Sequence, residues 1–134
     1  MRKALGTHVI IEMYGCNEDA LKNKDFVEWV FMEAARRGKM KVVASYFHQF
    51  SPYGVSGVVI VEESHLSIHT WPELGYAAVD FFYCSDEEEV DVEAALETLK
   101  EYLQPERITH FETKRGFLSD IEKWQKNKKQ GAFV

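Results

Sequence analysis

A serine and two histidines that could carry chemistry lie in one stretch near the middle of the chain, at 63–73. Ser64 follows two glutamates and an apolar, strand-like run, and His69 comes five residues after it. These residue types suit three kinds of chemistry, namely a metal site, a hydrolase nucleophile and a serine that cleaves its own backbone. Spacing and local context distinguish the three.

The first two chemistries fit the stretch poorly. His65 and His69 have the spacing at which two helical histidines bind zinc, but the segment is strand-like and ends at Pro72. In a strand, four residues span roughly 13 Å, which is too far for one metal ion. Ser64 also lacks the G-x-S-x-G pattern of a hydrolase elbow. The sequence therefore disfavours a metal site and a hydrolase.

Self-cleavage is the third chemistry. The hydroxyl of Ser64 would attack the carbonyl carbon of Glu63 and turn the amide into an ester, and a base would then remove the serine α-proton. β-Elimination would break the chain, and the dehydroalanine left behind would become an imine and lose ammonia, which leaves a pyruvoyl group. In a plain strand Ser64 and His69 point to opposite faces. If His69 is the base, we therefore expect a turn or bulge between them.

Two longer motifs surround this chemistry, F-H-Q-F-S-P-Y-G-V-S-G-V-V at 47–59 and E-S-H-L-S-I-H-T-W-P-E at 63–73. Together with 75–80, Cys84 and a few positions near the N-terminus, they resemble the S-adenosylmethionine decarboxylase proenzymes of the prokaryotic type. The N-terminal positions are Gly6, His8 and 12–16. The resemblance covers about residues 4–113, and the tail after Arg115 carries none of it.

The resemblance implies a single domain that cleaves itself between Glu63 and Ser64. The products would be a β chain of residues 1–63 and an α chain of residues 64–134. Ser64 would become the pyruvoyl cofactor that forms a Schiff base with the substrate, and no metal is expected. The active unit of this family is a dimer of processed protomers.

The resemblance also implies roles for single residues. His69 would be the base for processing, assisted by Ser56, and Cys84 would donate the proton that completes decarboxylation. Phe50 and His69 would flank the adenine, and Glu73 would accept hydrogen bonds from the ribose hydroxyls. Leu66 completes the expected substrate contacts.

Two alternatives stay open. This chain has Tyr83 before the cysteine where the family usually has threonine, and related folds decarboxylate arginine or ornithine. A pyruvoyl-dependent arginine or ornithine decarboxylase is therefore the second candidate. A homologue that no longer cleaves, and instead binds or regulates a partner, is the third.

Composition narrows the class of protein. A formal net charge of -6 argues against nucleic acid or an anionic membrane as partner. No apolar run is long enough to span a bilayer, and no apolar segment follows the basic start as in a signal peptide. We therefore expect a cytoplasmic protein in which Cys16 and Cys84 are thiols.

Periodicity predicts an α+β fold. We expect a two-layer α/β sandwich, with an antiparallel four-stranded sheet and two helices on one face. The apolar residues of the other face would seek a partner, which suggests a dimer. Five segments read as strands, one more than the four of the expected sheet: 4–14, 41–50, 55–62, 76–84 and 108–113, with a short extended piece at 66–71. The predicted helices are 18–37 and one from a Ser85 capping box to Leu103, followed by a short helix in the basic tail.

Overall fold

The computed structural model describes residues 3–84 and 90–129. Its elements are, in chain order, β1 (Ala4–Tyr14), α1 (Glu18–Lys22), α2 (Lys24–Arg37), β2 (Val42–Gln49), β3 (Val55–Val61), β4 (Ser64–Trp71), a 3-10 turn (Pro72–Leu74), β5 (Tyr76–Cys84), α3 (Val92–Leu103), β6 (Arg107–Phe117) and α4 (Leu118–Lys129). The strands of the described part form one antiparallel sheet in the order β2-β3-β4-β5-β1-β6.

The predicted α+β class is confirmed, but the sheet has six strands instead of four. The short extended piece at 66–71 is a full strand, because β4 begins at Ser64 and pairs with β3 on one side and β5 on the other. The 3-10 turn that starts at Pro72 separates β4 from β5. The last strand is also longer than predicted, because it pairs with β1 as far as Phe117.

The helix predicted over 18–37 is divided in two. Asn23 is the C-cap of α1 and also the N-cap of α2, where its side chain accepts a hydrogen bond from the Phe26 N–H. Asparagine competes with helical hydrogen bonds through its own side chain, so it favours caps over helix interiors. Asn17 is the N-cap of α1, where its side chain accepts a hydrogen bond from the Ala20 N–H.

The second predicted helix begins later than expected. Asp91 is the N-cap of α3, its side chain accepting from the Ala94 N–H, and the helix starts at Val92 instead of near Ser85. Ser85 and the acidic run after it lie outside the described residues. The short helix expected in the tail is α4, which buries none of its side chains.

The helices α1, α2 and α3 cover one face of the sheet, which we call the helix face. The main core side chains there are fully buried: Ile11, Leu21, Val27, Val30, Phe31, Leu66, Ile68, Phe81, Leu99 and Leu103. Burial of one such side chain contributes about 1.5–3 kcal/mol to stability. Among the described residues, no helix has both the length and the apolar character of a membrane span.

The opposite face of the sheet, which we call the open face, is not covered by these helices. Alternation of side chains decides which residues lie there. In β4 the buried positions Ser64, Leu66, Ile68 and Thr70 alternate with His65, Ser67 and His69, which are more accessible. The open face also exposes large apolar side chains, among them Tyr46, Ile60 and Phe111.

Candidate active site

The turn between β3 and β4 contains the peptide bond that we expect to break. Glu62 and Glu63 form this turn, and Val61 pairs with Ser64 across it. Glu63 has a φ of 61°, in the left-handed region. For a residue other than glycine this conformation costs about 1–2 kcal/mol. Backbone strain therefore lies at the residue whose carbonyl precedes Ser64.

The hydroxyl of Ser64 points toward the helix face and is buried. Its Oγ atom has no hydrogen-bond partner among the described residues. An unpaired buried hydroxyl costs about 1–3 kcal/mol, so such groups call for an explanation. A hydroxyl that no neighbour engages is free to act as a nucleophile on an adjacent carbonyl.

The thiol of Cys84 lies at the same turn. Its Sγ atom is 3.4 Å from the carbonyl oxygen of Glu63, which belongs to the peptide bond with Ser64, and 3.3 Å from Glu63 Oε2. A hydrogen-bond donor at a carbonyl oxygen stabilises the negative charge that develops when the carbonyl carbon is attacked. The structure thus brings together Glu63, Ser64 and Cys84, and we call them the turn group.

Ser56 and His69 form a second group near the far end of β4. They pair across β3 and β4, and Ser56 Oγ lies 2.8 Å from His69 Nδ1. This hydrogen bond fixes the orientation of the imidazole. It leaves Nε2 as the nitrogen not engaged by Ser56, so that Nε2 can take or give a proton.

The two groups are well separated within one chain. The pairing of β4 is continuous with β5 from His65 to Trp71, and likewise with β3 from Ser64 to His69, so the expected turn or bulge is absent from this described strand. Five residues of a strand span about 16 Å, and residues of opposite parity lie on opposite faces. His69 therefore cannot reach Ser64 of its own chain in this conformation.

The predicted substrate-binding residues divide in the same way. Phe50 lies in the β2–β3 turn, where its ring packs edge-on to His48, and Glu73 lies in the 3-10 turn that follows β4. Both are exposed and lie at the His69 end of the sheet. Leu66 differs, because its side chain is 1% exposed in the helix-face core. The part expected of Leu66 in substrate binding stays a prediction.

The open face holds a further cluster that the sequence analysis did not identify, and we call it the Asp80 cluster. His8 Nε2 and His65 Nε2 lie 2.6 Å and 3.1 Å from Asp80 Oδ2, and the Ser67 hydroxyl donates to Asp80 Oδ1. Burial alone would raise the pKa of Asp80, but the hydrogen bonds from His65, Ser67 and His8 outweigh it and hold that pKa well below its usual range.

The Asp80 cluster also has the composition of a metal site. Ligand atoms of His8, His65 and Asp80 lie within 4.8 Å of one another, near enough to share one ion. Each histidine already hydrogen-bonds to the carboxylate, so the cluster is satisfied without a metal. Strand alternation alone could have placed each residue on this face, but only the pairing of β1, β4 and β5 brings them together.

Solved structures with the same fold define the class of protein. The chain resembles the adenosylmethionine decarboxylase of Aquifex aeolicus VF5 with a TM-score of 0.78 and 32% identity, over 87% of this chain and 94% of that chain. The Trypanosoma brucei AdoMetDC-delta26 monomer shares the fold, with a TM-score of 0.58 and 15% identity over 78% of this chain and 44% of that chain. The architecture is thus that of a decarboxylase.

Similar sequences identify the family. A proenzyme of S-adenosylmethionine decarboxylase from Caldicellulosiruptor saccharolyticus is 50% identical over 113 residues, which cover 84% of this chain and 90% of that protein. The proenzyme of the same name from Thermosipho melanesiensis is 49% identical over 119 residues, covering 89% and 90%. The family model described as S-adenosylmethionine decarboxylase matches residues 7–116. The chain belongs to the S-adenosylmethionine decarboxylase family.

Proposed function

We propose that this chain is a self-cleaving proenzyme, and that its processed form decarboxylates S-adenosylmethionine. The products are CO2 and decarboxylated S-adenosylmethionine, an aminopropyl donor for spermidine biosynthesis. The observation that carries the proposal is the turn group. It combines strain at Glu63, an unengaged hydroxyl on Ser64 and the thiol of Cys84 at the carbonyl oxygen between them.

Processing begins when Ser64 Oγ attacks the carbonyl carbon of Glu63. The Cys84 thiol stabilises the negative oxygen that forms, and collapse with C–N bond cleavage leaves an ester. Removal of the Ser64 α-proton then expels the Glu63 carboxylate by β-elimination. The remaining dehydroalanine tautomerises to an imine, and water replaces its nitrogen, releasing ammonia. The pieces are residues 1–63 and 64–134, the second beginning with a pyruvoyl group.

The turn group fits a pyruvoyl group because it holds the serine from which that group forms. That group would bind the substrate amine covalently, with loss of water, and would supply the electron sink for the pair left at the substrate Cα when CO2 departs. Cys84 lies beside this position and delivers the proton to Cα. Glu73 would accept hydrogen bonds from the ribose hydroxyls, and Phe50 and His69 would flank the adenine. These three residues lie at the end of the sheet opposite to the turn group, so a complete site needs them from a second copy of the chain.

Each active site is proposed to form between two copies of the chain. In this dimer the open faces of the two copies would face each other. The two-fold axis would lie between the two sheets and perpendicular to the strands, which would set the turn group of one copy opposite His69 of the partner subunit. His69 of the partner subunit would then serve as the base that removes the α-proton of Ser64, which is carried by the backbone and not by the buried hydroxyl. Exposed Tyr46, Ile60 and Phe111 give the open face apolar surface to bury in such a dimer.

The setting of Tyr83 supports S-adenosylmethionine over a free amino acid. Tyr83 packs against the helix-face core, opposite to Cys84, so its phenol does not replace a small hydroxyl in an open-face pocket. Glu73 and Phe50 also provide groups for a ribose and an adenine, which arginine and ornithine lack. The test of the proposed function therefore also measures the turnover of arginine and ornithine.

We place the reaction in the cytoplasm, where a thiol that must donate a proton stays reduced. The net charge of -6 also favours a small-molecule substrate over nucleic acid or a membrane surface.

The test combines mass analysis with substrate turnover. Purified protein should consist of two pieces cut between Glu63 and Ser64, and it should release CO2 from S-adenosylmethionine but not from arginine or ornithine. Ser64→Ala should remain one chain without activity. Ser45→Ala, which changes a serine on β2, should cleave like the wild type. An intact wild-type chain would contradict the proposal, as would full activity of Ser64→Ala. Turnover of an amino acid alone would select the second candidate.

A further inference from the structure

The Asp80 cluster has no part in the chemistry proposed so far, yet its hydrogen bonding is elaborate. Its side chains come from three strands that are adjacent in the sheet, with His8 on β1, Asp80 on β5, and His65 and Ser67 on β4. The side chains of His8, Asp80 and His65 are 19%, 23% and 34% exposed, so the contacts are partly shielded from water. A shielded carboxylate with three donors is held in one orientation.

The ring of Phe82 confines both histidines further. Its centroid lies 5.8 Å from that of His8 and 5.9 Å from that of His65, and the guanidinium carbon of Arg115 lies over the ring, 5.3 Å from its centroid. Phe82 also pairs directly with His65 in the sheet. The side chain of His65 is therefore fixed by a hydrogen bond and by an aromatic contact.

Cleavage would change how the start of β4 is held. Ser64 pairs with Val61 of β3, whereas pairing between β4 and β5 begins one residue later, at His65 and Phe82. In the uncut chain the Glu62–Glu63 turn ties Val61 to Ser64 covalently. After cleavage, position 64 is the first residue of the second piece. The first piece, which contains β3, ends at Glu63, only two residues beyond Val61. Chain ends fray unless something ties them down.

We propose that Asp80 is a positioning residue that holds the new chain end at position 64 in place after cleavage. It does so by binding the side chain of His65, the residue directly after the end, while His8 and Ser67 fix the carboxylate from two other directions. This anchors the end to β5, the strand that also carries Cys84. The inference rests on the proposed function, because it concerns the processed chain.

The anchor should affect turnover more than cleavage. The uncut chain keeps the covalent turn, so the attack of Ser64 on Glu63 does not depend on Asp80. In the processed chain, a small displacement of a reacting group lowers the rate by up to about 100-fold. Asp80→Asn should therefore lower kcat by about 10- to 100-fold, and it should leave KM nearly unchanged because Phe50 and Glu73 are untouched.

Hydrogen exchange of the 65–67 amides, compared in processed and uncut protein, tests the anchor directly. Asp80→Asn should speed this exchange by about tenfold or more in processed protein, because an opened end exchanges freely. In the uncut Ser64→Ala background the same change should speed exchange by less than about twofold. Glu12→Gln, which removes another hydrogen-bonded open-face carboxylate, is the matched control and should leave these amides unchanged in both.

A second variant guards against a folding defect. His65→Ala removes the same contact from the other side and should reproduce the exchange pattern of Asp80→Asn. An equal increase in processed and uncut protein, or no increase with either variant, would overturn the inference. Failure of the proposed function is a separate result, seen as an uncut wild-type chain before any exchange is measured.

Discussion

Mixed dimers of two inactive chains give a decisive test of the shared active site. Ser64→Ala lacks the nucleophile and His69→Ala lacks the base, so neither should cleave when expressed alone. Within one chain these residues are about 16 Å apart and on opposite faces. If His69 serves Ser64 of the partner, a dimer that contains one chain of each kind has one intact site and one site with both defects.

The stoichiometry sets the size of the effect. With equal expression and random pairing, about half of the dimers are mixed, so about half of the His69→Ala chains should be cut. Ser64→Ala chains should all stay intact. Intact-mass analysis separates the two chains, and CO2 release should reach about one quarter of the wild-type value because one site in four is complete.

A matched pair of variants provides the control. Ser56 and His69 belong to the same group, so a mixed dimer of Ser56→Ala and His69→Ala has one defect in each site. This mixture should not gain cleavage over its components. Cleavage of His69→Ala expressed alone, or no cleavage in mixed dimers that pull-down on two different tags has verified, would refute a site shared between subunits.

Three further predictions concern single residues. Cys84→Ser should still cleave, because a hydroxyl can donate a hydrogen bond to the Glu63 carbonyl. Formation of the decarboxylated product should nevertheless slow by about 100-fold, since a hydroxyl is a poor proton donor at neutral pH. Timed gels measure the cleavage, and product assays measure the decarboxylation. Gly57→Ala should lower the free energy of unfolding by about 1–3 kcal/mol, because the added methyl group collides with the ring of Phe47. Urea titration measures this change, and an unchanged unfolding midpoint would contradict the packing of Phe47 against Gly57. Asp80 has a lowered pKa in the folded chain, so its stabilising effect is present above about pH 4 and is lost as the pH falls toward the folded value. The stability difference between wild type and Asp80→Asn should therefore shrink as the pH falls below about 4.

The fold class could be predicted from the sequence because the spacing of apolar residues along the chain reflects which side chains are buried. Val27, Val30, Phe31, Ala34 and Ala35 follow a helical spacing, and all of them are buried in α2. The break at Asn23 was missed because the spacing of apolar residues does not register a polar residue that caps two helices at once. The number of strands was missed because a short segment shows little about how many neighbours it has.

The candidate site was predictable in its residues but not in its arrangement. The motif at 63–73 identifies Ser64 and His69, and strand alternation already implies opposite faces. Their separation within one chain needs the continuous pairing of β4, which depends on β3 and β5. The Asp80 cluster was missed for the same reason, because its members are far apart in sequence.

The position of Glu63 beside Cys84 has a consequence for the processed protein. If the bond breaks as proposed, the carbonyl that the thiol contacts becomes part of a terminal carboxylate. Glu63 then carries two negative charges, one on its side chain and one at the end of the chain. A carboxylate accepts a stronger hydrogen bond than a peptide carbonyl does. Scission would thereby strengthen the contact between the end of the first piece and the Cys84 S–H, the donor that the later proton transfer to the product needs.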